Sequence, residues 1–89
     1  MKRHYNITVK GRVQGVGFRY NARRQALTLG LDGLVRNMPD GSVYIEVEGN
    51  TSDLDEFVAW CKEGSSGSRV IDVIISISNL EGLYGFKTY

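Results

Sequence analysis

The order of periodicities along the chain predicts an α+β fold, β-α-β-β-α-β, and three observations carry that prediction. Two segments of helical period lie between segments in which apolar and polar residues alternate. Glycine, or a proline–glycine turn, marks the changes of period. With 89 residues, 42% of them hydrophobic, the chain has core enough for one domain, residues 1–89, and not for two. Two helices on one face of an antiparallel sheet, the split βαβ or ferredoxin-like sandwich, is the arrangement this order favours.

Residues 5–10 alternate, with Tyr5, Ile7 and Val9 on one side and Asn6, Thr8 and Lys10 on the other, as in a half-buried strand. From Phe18 the period changes. Phe18, Ala22, Ala26 and Leu29 form one apolar stripe on a helix, and Gly30 is its natural stop. A short strand over 33–37 and a second over 43–48 flank the turn Met38-Pro39-Asp40-Gly41. In that second strand Val43, Ile45 and Val47 point inward, and Tyr44, Glu46 and Glu48 outward. Ser52-Asp53-Leu54-Asp55 reads as a loose capping box, and Leu54, Phe57, Val58 and Cys61 then share one helical face up to Gly64. The β-branched run Val70–Ile77 predicts a central or covered strand. Phe86 to Tyr89 close the fold with a short strand.

Composition excludes several function classes. Eleven Lys and Arg against ten Asp and Glu leave a net charge of +1, too little basic excess for a nucleic-acid binder. One cysteine and one histidine give no disulfide framework and predict no metal centre or other cofactor. No stretch approaches a membrane span and no signal peptide is evident. The lone Cys61 suits a reducing compartment, so the expectation is a cytoplasmic protein and a monomer. His4, without an evident partner, receives no role. Glu46 and Glu48 are read as the wet side of a sheet, Arg23, Arg24 and Arg36 as solvated residues, and Cys61 as a small buried hydrophobe.

The chemistry concentrates in the loop Gly11-Arg12-Val13-Gln14-Gly15-Val16-Gly17, which joins the first strand to the first helix. Its glycines allow backbone angles closed to other residues, so successive N–H groups can turn toward one anion. The loop opens onto a helix N-terminus, where unpaired N–H groups and the helix dipole favour negative charge. Arg19 sits in that first turn. A cation there opposes the dipole unless an anion is present, and a guanidinium grips two phosphate oxygens at once. Gly15, Val16, Gly17, Phe18 and Arg19 are therefore the candidate phosphate-binding loop. The nucleotide P-loop is excluded, because Gly-Phe-Arg stands where Gly-Lys-Ser/Thr is needed. The dinucleotide fingerprint is excluded by glycine spacing.

Val9-Lys10-Gly11-Arg12-Val13-Gln14-Gly15-Val16-Gly17-Phe18-Arg19 closely resembles the signature of the acylphosphatase family, and so does Leu29-Gly30-Leu31-Asp32-Gly33-Leu34-Val35-Arg36-Asn37 with Asp40-Gly41. The resemblance runs from the first strand to the C-terminal Phe86-Lys87-Thr88-Tyr89. It implies a metal-free hydrolase of acyl phosphates, small molecules cleaved to a carboxylate and inorganic phosphate. In that reading Arg19 and the loop amides bind phosphate, and Asn37 positions the attacking water. Leu34 departs from the family pattern, where a large aromatic is frequent, and so does Ser65, where a proline is frequent. Two other readings share the fold: an RNA-binding module, for which the paired stacking aromatics are missing, and a carbamoyl-phosphate-handling domain of a larger enzyme.

Overall fold

Residues 1–89 are all described by the computed structural model, in which the alternating segment at 5–10 grows at both ends into strand β1 (Lys2–Arg12). Helix α1 (Phe18–Thr28), β2 (Asp32–Asn37), β3 (Val43–Asn50), α2 (Thr51–Glu63), β4 (Arg69–Ser78) and β5 (Phe86–Thr88) follow. The five strands form one sheet in the order β4-β1-β3-β2-β5. No helix is long and apolar enough to cross a membrane.

The register explains the two faces. Ile7 lies opposite Ile45, Tyr5 opposite Val47 and Val9 opposite Val43, so their side chains share the face that the helices cover. On α1, Phe18, Ala22 and Ala26 are buried, and on α2 Leu54, Phe57, Val58 and Cys61 are buried. Trp60 bridges the helices, its ring 5.1 Å from Phe18 and 6.2 Å from Phe57. Burial pushes the Cys61 thiol up to about 12, which makes it a core hydrophobe. Helix α1 stops as Gly30 predicts. The Leu31 amide donates to the Ala26 carbonyl at 2.9 Å and the Gly30 amide to Leu27 at 3.1 Å, with Gly30 at φ +71°.

Four expectations are corrected. Strand β4 is neither central nor covered: it is an edge strand paired only with β1, and Ile71, Ile74 and Ile77 are exposed. Its β-branched composition reports fitness for pleated backbone, not position in the sheet. The sheet is mixed, because β5 runs parallel to β2. The chain leaves β4 at one edge and crosses the sheet to reach the other, which reverses the last pairing. The Ser52–Asp55 capping box is not formed. The chain passes from β3 straight into α2 with Asn50 at the cap and no side-chain capping bond, while the Thr51 amide donates to the Met1 carbonyl at 2.9 Å.

The fourth correction concerns the face away from the helices. His4, read as partnerless, is fully buried, and Glu48, read as wet, is 6% exposed. His4 Nδ1 lies 2.8 Å from Glu48 Oε2 and Nε2 lies 2.9 Å from Asn6 Oδ1. Burial alone would push the imidazole pKa down, but the bonds to Glu48 and Asn6 outweigh it and hold it above its ordinary value. Glu48 also accepts the amides of Glu81 and Leu83, while Asp32 accepts that of Gly85 at 2.9 Å. The segment 79–85 is thus pinned across this face on its way to β5. The signal missed was positional. His4, Glu48 and Asp32 stand in one cross-strand row, with His4 opposite Glu48 and Asp32 opposite Glu48, and only the register reveals it.

One close approach is decisive for β2 and β3. A Cβ on Gly33 would lie 1.9 Å from the main-chain oxygen of Glu46. Gly33→Ala is therefore expected to destabilise the fold by at least ~2 kcal/mol in urea unfolding, although alanine is ordinarily the better strand residue. An unchanged midpoint would show that the two strands are free to separate there.

Candidate active site

Strand β1 does not run directly into the glycine loop. Gly11 belongs to the strand, at a shift in register between Lys10 and Gly11 against β4, with φ +127° and room for no side chain: a Cβ would lie 2.1 Å from the Arg69 carbonyl oxygen. The cradle proper begins later. Gly15 and Gly17 adopt left-handed angles, φ +73° and +75°, and Gly17 is the residue from which α1 starts. No acidic residue occupies the first turn of α1, and no side chain caps it.

The consequence is a row of free donors. The helical ladder begins with the Asn21 amide on the Gly17 carbonyl at 3.1 Å, reinforced by Asn21 Nδ2 on the same oxygen at 2.9 Å. The amides of Phe18, Arg19 and Tyr20 precede that ladder, and those of Gly15, Val16 and Gly17 make no main-chain bond. A cavity of about 190 Å³ lies at this point, lined by Val13, Gly15, Gly17, Phe18, Arg19, Tyr20, Asn37 and Thr88. Arg19 and Asn37, eighteen residues apart in the chain, therefore face one space. Val16 is the exception among the loop residues, for its side chain packs against the core and only its main chain belongs to the loop.

Asn37 is the last residue of β2 and lies opposite Val43. It occupies the row that buries Val35 one step earlier, so a polar amide stands where the apolar face of the strand ends. Its Oδ1 is buried without a hydrogen-bond partner in the protein. A buried acceptor left unpaired costs about 1–3 kcal/mol, and this one is held beside the cavity that Arg19 lines.

Three further residues, given no role at the site from the sequence, hold this arrangement. Gln14 Nε2 donates to the Met38 carbonyl at 2.8 Å and the Ser42 carbonyl at 3.0 Å, tying the loop to the turn that follows Asn37. Within that turn Asp40 accepts the Ser42 hydroxyl at 2.6 Å and its amide at 2.9 Å, and these bonds hold the Asp40 carboxyl below its ordinary pKa. Arg23, read as merely solvated, donates through Nε to the Phe86 carbonyl at 2.9 Å. Arg19 itself reaches the main-chain oxygen of Tyr89, so its guanidinium is held between α1 and β5. Leu34 and Ser65, the two departures in sequence, lie outside the cavity.

The fold and this loop define a class: a small α+β domain with a glycine loop of unpaired amides at its first strand-to-helix junction. Comparison with known proteins gives the family. The acylphosphatase family model matches residues 5–88. A curated acylphosphatase of Trichormus variabilis is 46% identical over 82 residues, 92% of this chain and 81% of that protein. The crystal structure of acylphosphatase from Bacillus subtilis superposes with a TM-score of 0.95 at 43% identity, covering 100% of this chain and 99% of the other. The crystal structure of full-length HypF in its phosphate- and nucleotide-bound form gives a TM-score of 0.89 at 29% identity, where this chain spans 12% of the other. The chain belongs to the acylphosphatase family of hydrolases.

The tie made by Gln14 generates a prediction. Gln14→Ala removes two hydrogen bonds, although the Gly41 amide still donates to the Met38 carbonyl and the Met38 amide to that of Ser42, and is expected to lower stability by about 1–2 kcal/mol. It should also lower kcat by freeing the loop from Asn37. Urea unfolding and turnover, measured together, check both, and a variant unchanged in each would make the tie idle.

Proposed function

We propose that the cavity hydrolyses acyl phosphates with Arg19 and the amides of Gly15 to Arg19 holding the phosphate and Asn37 aiming the attacking water. The observation that carries this reading is the meeting of opposite needs in one space: unpaired N–H donors and a guanidinium on one wall, a buried unpaired acceptor on the other. The donors suit phosphate oxygens. The Asn37 oxygen accepts a hydrogen from water, which leaves a lone pair of that water free to attack phosphorus as the bond to the carboxylate oxygen breaks.

An acyl phosphate is an activated mixed anhydride whose leaving group is a stabilised carboxylate. Positioning and charge neutralisation can therefore supply most of the acceleration. The cavity lining holds no carboxylate, histidine or cysteine to act as a base. In this mechanism the water's proton passes to a phosphoryl oxygen of the substrate. The same lining offers no ligand set for a cation, so the reading is metal-independent hydrolysis; a cytoplasmic monomer is the form of the protein we propose for it.

Arg19→Gln removes a bidentate charged grip and is expected to raise KM, and the inhibition constant of inorganic phosphate, by about 100-fold. Asn37→Ala should lower kcat by about 10²–10³-fold with phosphate inhibition retained. Wild-type protein that cleaves benzoyl phosphate no faster than buffer does would end the proposal. Turnover of acetyl, carbamoyl and benzoyl phosphates, compared on one preparation, reads the preference for the acyl half.

A further inference from the structure

We propose that His4, Glu46 and Glu81, with Asn6 beside them, form a binding site for a divalent transition-metal ion of the zinc class, on the sheet face away from the helices. The donor atoms of the first three lie within 4.8 Å of one another. His4 Nε2 is 3.3 Å from Glu46 Oε1, 3.7 Å from Glu81 Oε2 and 2.9 Å from Asn6 Oδ1. Ligand atoms about 2.0–2.1 Å from zinc at tetrahedral angles stand roughly 3.3–3.5 Å apart. His4 Nε2 already stands near that spacing from the other three side chains, so small rotations of exposed Glu81 would complete the set.

The outer contacts are those a metal site needs. The second ring nitrogen of His4, Nδ1, is held by Glu48 Oε2 at 2.8 Å, the carboxylate–histidine pairing that fixes which nitrogen faces the ion. The second oxygen of Glu46 accepts the Tyr44 hydroxyl at 3.0 Å, and that hydroxyl also lies 3.3 Å from Asn6 Oδ1. His4, Asn6, Tyr44, Glu46 and Glu48 all project from β1 and β3, two paired interior strands, so the set is rigid on four sides. Glu81 alone is exposed to solvent, its side chain 55% accessible, and it opens the site to an incoming ion.

Charge gives an independent argument. All three ion pairs that the molecule can form share His4, with Glu46, Glu48 and Glu81 as its partners, and they exist only while the imidazole is protonated, so a metal at Nε2 takes the place of that proton. Asp32 adds a fourth carboxylate in the same cross-strand row. None of the eleven Lys and Arg residues comes within ion-pair distance of these carboxylates, so one imidazole faces an excess of negative charge. A divalent cation balances it. One nitrogen donor among few oxygens selects zinc-class ions over calcium or magnesium, which take six or more oxygens.

The site's effect is structural. Glu81 lies in the segment that crosses the sheet before β5, so a metal bonded to it fastens that crossing to β1 and β3. A chain freed of metal by chelation should take up one Zn²⁺ per molecule in isothermal titration and gain several degrees in Tm. Co²⁺ in its place should show the intense visible bands of four-coordinate cobalt. Glu81→Gln, an exposed change that leaves the sheet intact, should weaken Zn²⁺ binding by at least about tenfold, while Cys61→Ser should bind as the wild type does. Absence of stoichiometric uptake overturns the site, and so does a Glu81→Gln variant that binds Zn²⁺ as tightly as the wild type.

Discussion

The amides from Gly15 to Tyr20 have no main-chain acceptor, and at the junction of β1 with α1 most of the residues that carry them line one cavity. That junction constrains the elements around it. Gly15 and Gly17 take left-handed angles, and the helix begins without an acidic residue or a side-chain cap that would fill its own N-terminus. Phe18 anchors the turn from beneath, buried against Trp60. Gln14 fixes it laterally to the Met38–Ser42 turn. An anion bound there, as proposed, would satisfy those donors together, which gives the loop's conformation and its proposed chemistry a single cause.

The other wall of the cavity is assembled from the far end of the sheet. Asn37 arrives at the end of β2, and Thr88 comes from β5, which exists only because the chain crosses the open face after β4. That crossing is held by Glu48 and Asp32, and β5 is then clasped by Arg23 on Phe86. Contacts on the face away from the helices therefore support a cavity on the helix side. The coupling is mechanical, through a three-residue strand with a single partner.

Much of this was legible in the sequence where the signal is local. Gly30 as a helix stop, the alternation of β3 and the apolar stripes of both helices depend on residues three or four apart, and the structure follows them. The loop and Arg19 were singled out because a cation in the first turn of an uncapped helix is locally unfavourable without an anion, and the structure brings Arg19 to the cavity that Asn37 lines. Asn37 could not be read that way, since an asparagine before a proline turn serves turn geometry equally well; the family resemblance singled it out. The misses share one cause. The edge position of β4, the parallel pairing of β5 and the burial of His4 depend on which strands become neighbours, and composition does not encode neighbours. Gly11 was grouped with the loop for the same reason, its close approach being to Arg69, fifty-eight residues away.

The net charge of +1 conceals a separation of charge that matters to the chemistry. Arg19 and the positive end of α1 lie at the loop, while Asp32, Glu46, Glu48 and Glu81 gather on the opposite face around His4. Had those carboxylates shared the cavity, they would repel a phosphate dianion and compete for Arg19. Placing the sheet between the two groups lets one small domain keep a basic pole and an acidic pole. Alternation enforces the division: Ile7 and Ile45 face the core while Asn6 and Glu46, one residue earlier and one later, face away. A one-residue slip of β1 against β3 would exchange the faces and destroy both poles, so the same buried apolar row that stabilises the fold also sets the sign of the field at the loop.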